Sequence, residues 1–220
     1  MRLRPAAVVL AGGLSLAAAA PGVWAVSRPA TAAGPPLAAV VAPAPSTLPD
    51  RTPAWPSPPA VHPADPVATR AVPAPVRLVL PSVGIDAPVD PVGVGSGGLM
   101  QLPDEVRRVG WYRYGPAPGD AAGAAVLAGH VDSWDQGLGA LGRLRNLEPG
   151  QTFEVRSATG RLSHWRVVTR RLVVKQQLPL GQLFTRTGPP RLVLLTCGGP
   201  FDERLRSYRD NLVVVAEPAR

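Results

Sequence analysis

Two short stretches of the 220-residue chain carry residue types that do covalent chemistry. "RLVLLTCGGPFDE" (191–203) holds the single cysteine, Cys197, where an apolar run meets a Gly-Gly-Pro turn. "VLAGHVDSWDQG" (126–137) holds His130 at the end of a second apolar run. A thiol is a nucleophile only as thiolate, a form favoured by an adjacent base or positive charge. His130 supplies a group that transfers protons, and Arg204, Arg206 and Arg209 follow the cysteine. A guanidinium or the free N–H groups of a "CGG" turn would supply donors to a developing oxyanion. The pattern therefore points to acyl transfer through a cysteine.

Each of these residues also has a plainer reading. A lone cysteine is among the most buried residue types and often only fills space. Thr196, before the cysteine, either bonds substrate or packs. Asp132 and Asp135 either orient His130 or decorate a loop, and no acidic cluster has Ca²⁺-ligand spacing, so no metal is expected. The other histidines are weaker candidates: His62 lies in a Pro-rich stretch and His164 inside a long predicted strand.

The elements that must position these residues occupy the last two thirds of the chain. "VRLVLP" (76–81), "AAVLAGHV" (124–131), "QTFEVRS" (151–157), "RLSHWRVVTRRLVVK" (161–175), "RLVLLTC" (191–197) and "NLVVVAE" (211–217) read as strands, with a hairpin turn at "TG" (159–160). A further short strand fits within 82–98. Several short strands broken by Gly, Pro and Asp argue for an all-β barrel or sandwich. "LGALGRLRNL" (138–147), with leucines at helical spacing, predicts a helix, and "PLGQLF" (179–184) a helical turn. Residues 76–220 suffice for one domain with its own core.

The N-terminal third is of a different kind. Pro5 to Val26 is a run of 22 uncharged residues behind Arg2 and Arg4. That length spans a bilayer, which takes about 20 residues, and the flanking charge puts the N-terminus in the cytoplasm and the rest outside. A cleaved signal peptide ending near "ATAAG" (30–34) is the competing reading. We take 1–26 as an uncleaved anchor because it exceeds the usual length of a signal-peptide core. Residues 27–75 hold 14 of the 28 prolines and five charged residues, the composition of an extended spacer. The domain carries 18 basic against 13 acidic residues. This scattered surplus suits an anionic cell wall or lipid head groups, and no nucleic-acid motif is present. One cysteine forms no internal disulfide.

"LAGHVD" (127–132) and "LLTCGG" (194–199), in this order and spacing, resemble the sortases, the cysteine transpeptidases that attach proteins to bacterial cell walls. The likeness covers roughly 76–220, and "TCGGPFD" with "YRDNLVVVAEP" is most similar to the actinobacterial class F group, with class E as neighbour. It implies an eight-stranded sortase β-barrel with one or two short helices, a membrane anchor and no cofactor. It implies Cys197 as nucleophile, attacking the threonine carbonyl of an LPXTG-like or LAXTG-like sorting signal on a secreted protein. His130 would be the general acid/base, and a cell-wall amine or water would resolve the thioacyl-enzyme. The family's arginine falls near the start of the last strand, where this chain has Asn211. Arg209, two residues earlier and on the same face, takes that role, with Arg206 or Arg204 as substitutes. Thr196, Gly198 and Asn211 would contact substrate. Two alternatives stand beside this reading: another exported cysteine acyl-transferase of the L,D-transpeptidase kind, or an anchored β-module with an inert cysteine. The first usually has a histidine just before its cysteine, which "LLTCGG" lacks.

Overall fold

A computed structural model describes residues 32–42 and 72–219. The segment expected to cross a membrane, 1–26, lies outside the described residues, as does most of the Pro-rich spacer. Among the described residues no helix is long and apolar enough to cross a membrane.

In chain order the elements are β1 (Ala32–Ala33), α1 (Leu37–Val41), β2 (Pro75–Leu80), β3 (Ile85–Val92), β4 (Val109–Tyr112), β5 (Ala124–Gly129), β6 (Asp132–Ser133), β7 (Gly137–Leu138), β8 (Thr152–Ser157), β9 (Leu162–Val174), α2 (Leu180–Leu183), β10 (Arg191–Asp202) and β11 (Ser207–Pro218). The main sheet runs β1-β9-β11-β10-β5-β4-β3-β2-β8, and β8 also pairs with β9. That second pairing closes eight strands into a barrel, with β1 added at one edge and β6–β7 a separate hairpin. The architecture is mainly β, as the strand pattern predicts.

Two apolar clusters explain why three strands read as unbroken hydrophobic runs. In β5, β10 and β11 the residues Ala124–Gly129, Leu192–Thr196 and Leu212–Ala216 are all buried. Their inward side chains, among them Leu127, Leu192, Leu194, Leu212 and Val214, fill the barrel. Their outward ones, among them Val126, Val193, Val213 and Val215, are covered by Leu37, Val41 and Leu183. A sheet buried on both faces selects β-branched and aliphatic residues at every position, not alternation.

Part of the Pro-rich segment thus belongs to the domain's own packing. Ala32 and Ala33 pair with Arg171 and Arg170 of β9. The Thr169 hydroxyl, fully buried, donates to the carbonyls of Pro35 (2.7 Å) and Ala33 (3.1 Å), and Arg171 donates to Gly34 and Pro35. Five helical residues then lay Leu37 and Val41 on the outer sheet face.

The helix predicted at 138–147 does not form. The segment makes β7, turns and a short 3-10 helix at Leu144–Asn146, while Leu141, Leu144 and Leu147 are fully buried. Leucines three apart suit 3-10 geometry as well as α, and Gly139 and Gly142 weaken an α-helix. Both glycines are needed for close approach instead: a Cβ at 139 would lie 2.3 Å from the His130 carbonyl oxygen, and one at 142 would lie 2.5 Å from that of Val131. Strand β4, four residues including Gly110, carries too little pattern to be read in advance.

Candidate active site

β10 is the strand on which the site is built. It runs parallel to β5 from Arg191↔Ala124 to Leu195↔Ala128, and antiparallel to β11, where Cys197 pairs with Asn211. Continuing the parallel register by two residues sets His130 beside Cys197. The two strand ends singled out in the sequence are therefore neighbours in the sheet.

The backbone around each is fixed by specific contacts. His130 is half-buried, and its Nε2 lies 3.1 Å from the Pro103 carbonyl oxygen. A carbonyl only accepts, so Nε2 carries the proton and Nδ1 is the nitrogen left for proton transfer in the neutral ring. The Leu141 N–H donates to the His130 carbonyl (3.2 Å), and Gln136 ties the neighbouring segment down through Val106 N–H (3.1 Å) and the Asp104 carbonyl (3.2 Å). Gly129 lets Leu141 close on the strand, since an added Cβ would sit 3.1 Å from its Cγ. Arg108, at the entrance to β4, is held by a bidentate pair with Asp90 at 2.5 Å, which holds the Asp90 carboxyl below the usual carboxylate range.

Past Cys197 the β10–β11 ladder breaks between Gly198 and Phe201. Gly199 takes a left-handed φ of 72° and leaves room for the Asp210 carboxylate, whose Oδ2 would meet an added Cβ at 2.1 Å. Only glycine fits that position.

Cys197 is half-buried and faces two cavities. The outer one, about 510 Å³, is an apolar groove lined by Met100, Leu102, Tyr112, Leu180, Phe184 and Leu195, with Cys197 and Asn211 also on its wall. Tyr112 and Phe184 meet edge-to-face at 5.2 Å. The inner one, about 350 Å³, lies at the barrel mouth and is lined by Asp132, Arg145, Tyr208 and Gly198 among others. Thr196 and Cys197 border both. The Thr196 hydroxyl is buried and has no hydrogen-bond partner among the described residues.

The arginines are arranged less compactly. Arg209 is exposed on β11, two residues before Asn211, and strand alternation puts it on the face that Cys197 occupies. Arg204 and Arg206 sit in the turn between β10 and β11, where the Arg204 N–H donates to Asp202 (3.0 Å) and Arg206 has φ of 48°. None of the three lines either cavity, and His130 lines neither. Asp132 does not engage His130: it accepts from the Tyr208 hydroxyl at 2.5 Å, and Asp135 accepts from Ser133. That carboxylate pushes the Tyr208 phenol up to about 12. Tyr208 and Arg145 were not singled out by the sequence. The first sits in the arginine-rich hairpin and the second in the segment read as a helix, and neither position has a local signal. Among the described residues no group of three or more potential metal ligands is gathered.

Three comparisons set this geometry among known proteins. The family model described as Sortase domain matches residues 78–219. Among solved structures, sortase C-1 from Actinomyces oris is similar at 23% identity and a TM-score of 0.51, over 66% of this chain and 73% of that one. A lid mutant of sortase A from Corynebacterium diphtheriae shows 16% identity and a TM-score of 0.51, over 70% and 74%. Sortase C1 from Streptococcus agalactiae shows 18% and 0.50, over 66% and 67%. At these identities the structures share the fold. No curated protein matches the sequence.

Proposed function

The chain belongs to the sortase family, and we propose that it is a membrane-anchored cysteine transpeptidase cleaving an LPXTG-like sorting signal after its threonine. The coarser statement, a sortase-type transpeptidase, follows from the family itself. What carries the finer one is the outer groove: an apolar groove bordered by Cys197, whose strand runs parallel and in register with the one that leads to His130. An extended peptide with apolar residues upstream of its scissile bond suits such a groove.

In this reading the Cys197 thiolate adds to the threonine carbonyl carbon, and the C–N bond breaks as the C–S bond of the thioacyl-enzyme forms. The departing amine takes its proton from His130. An incoming cell-wall amine, or water, returns a proton to His130 and expels the thiolate, the usual reversal of acid and base roles. Arg209 stabilises the oxyanion, with Arg206 or Arg204 able to reach from the adjoining turn, and Thr196, Gly198 and Asn211 contact substrate. Residues 1–26 anchor the chain with its N-terminus in the cytoplasm and the catalytic domain outside. The "TCGGPFD" and "YRDNLVVVAEP" motifs support a place near the actinobacterial class F group.

The test is intact-protein mass spectrometry of the full chain after incubation with Leu-Pro-x-Thr-Gly and Leu-Ala-x-Thr-Gly peptides. The expected result is an adduct equal to the peptide truncated after threonine, absent in Cys197→Ala and reduced at least tenfold in rate in Arg209→Ala. A thiol that alkylates normally yet acylates with neither peptide would refute the substrate class.

A further inference from the structure

Resting on the reading of Cys197 as the acylated nucleophile, we propose that the inner cavity is the acceptor's site and that it takes an amine which also carries a carboxylate. The cavity and the outer groove both border Thr196 and Cys197, so the two meet at the nucleophile's position on β10. Their linings differ in chemistry. The outer groove is apolar, whereas the inner cavity presents Asp132 and Arg145, charges of opposite sign.

Each charge is available to a ligand. The Tyr208 hydroxyl donates to Asp132 Oδ2 at 2.5 Å, which steadies the carboxylate at the rim and leaves Oδ1 to accept from an ammonium group. Arg145 has no hydrogen-bond or ion-pair partner among the described residues, so its guanidinium is free for a carboxylate. Arg170 also borders the cavity, but its guanidinium is buried and bonded to the Leu147 carbonyl (2.7 Å) and Glu148 (2.8 Å).

The third observation is Thr196. Its residue is 4% exposed and its hydroxyl has no partner among the described residues. Alternation along β10 puts its side chain on the inner face with Leu192 and Leu194, toward this cavity. A buried hydroxyl without a partner is destabilising, a cost that a polar ligand in the cavity removes. The volume, about 350 Å³, suits an amino acid and a few waters.

The chemistry balances without a further reactant. Asp132 holds the incoming ammonium, and the proton it sheds goes to His130. The free amine then attacks the thioacyl carbon; the C–N bond forms, the C–S bond breaks, and the sulfur leaves as thiolate. Water in the same cavity gives hydrolysis.

Lysine and cadaverine differ only in the carboxylate and so test the proposal. The full chain, acylated by a sorting-signal peptide, is offered each amine, and the partition between amide product and hydrolysis is read from one thioacyl pool, so folding or acylation defects cancel. Lysine is expected to be favoured about tenfold, as befits one charge-assisted hydrogen bond. Arg145→Gln should bring that preference close to one, and Asp132→Asn should lower both amines against water. A second readout needs no acylation: lysine should slow alkylation of Cys197 by iodoacetamide more than cadaverine does, and Arg145→Gln should abolish the difference. Equal partition and equal protection in all three proteins would overturn the proposal. If no peptide acylates Cys197 while lysine still protects in an Arg145-dependent way, the cavity assignment stands and the sorting-signal reading falls.

Discussion

At the scale of single residues, the bond between Tyr208 and Asp132 is the most testable polar contact near the thiol. Ionising the phenol would set a phenolate against a carboxylate 2.5 Å away, which is why its folded value is pushed up to about 12 from an ordinary value near 10. A folded value above the unfolded one means the bond's contribution is complete below pH 10 and is lost as pH rises through 12. Asp132→Asn is therefore expected to move one tyrosine in an absorbance titration down toward the ordinary value. A titration curve identical to that of the unaltered chain would show that the two side chains do not meet in solution. The contact also changes how "HVD" reads: the carboxylate two residues after the histidine serves the opposite hairpin, not the imidazole.

At the scale of elements, the posture of His130 depends on two segments outside its own strand. Pro103 receives the imidazole and Gly139 packs under the backbone, where an added methyl would lie 2.3 Å from the His130 carbonyl oxygen. Gly139→Ala must push that carbonyl aside, at a cost of about 1–3 kcal/mol. The expected outcome is a folded protein whose acylation rate falls more than tenfold while the peptide's KM changes little; a variant with unchanged rate would show that this packing does not set the imidazole. This dependence marks the limit of what the sequence discloses. β5, β10 and β11 were readable because burial on both faces writes an uninterrupted apolar run, and the adjacency of Cys197 and His130 follows once two such runs are neighbours. The 138–147 segment was not, because three buried leucines at a spacing of three satisfy α and 3-10 geometry alike. The tight approach of Gly139 and Gly142 to the backbone at His130 and Val131, which selects the 3-10 form, exists only in three dimensions. Tyr208 and Arg145 escaped for the same reason, being brought to the thiol by topology alone.

At the scale of the whole molecule, the short N-terminal segment Ala32–Ala42 is part of the folded domain. Leu37 and Val41 are buried against the sheet that carries the nucleophile. Leu37→Ala is expected to lower stability by about 2 kcal/mol, readable as a drop in Tm with no change in KM. A chain starting at residue 76 should show the same loss and more; an unaltered Tm in both would mean the contact is not maintained. The docking also bears on geometry outside the domain. A spacer of 49 residues at about 3 Å each would lift a catalytic domain on the order of 150 Å from its anchor. With Ala32 paired to β9, the folded domain already begins there, so its height above an anchor is set by what precedes Ala32. In a chain anchored through residues 1–26, only 27–31 remain as tether, a reach of roughly 17 Å. Such a domain would rest on the bilayer, and its polypeptides and acceptors would meet it in the first layer above the lipid, by lateral diffusion and not from the depth of the wall.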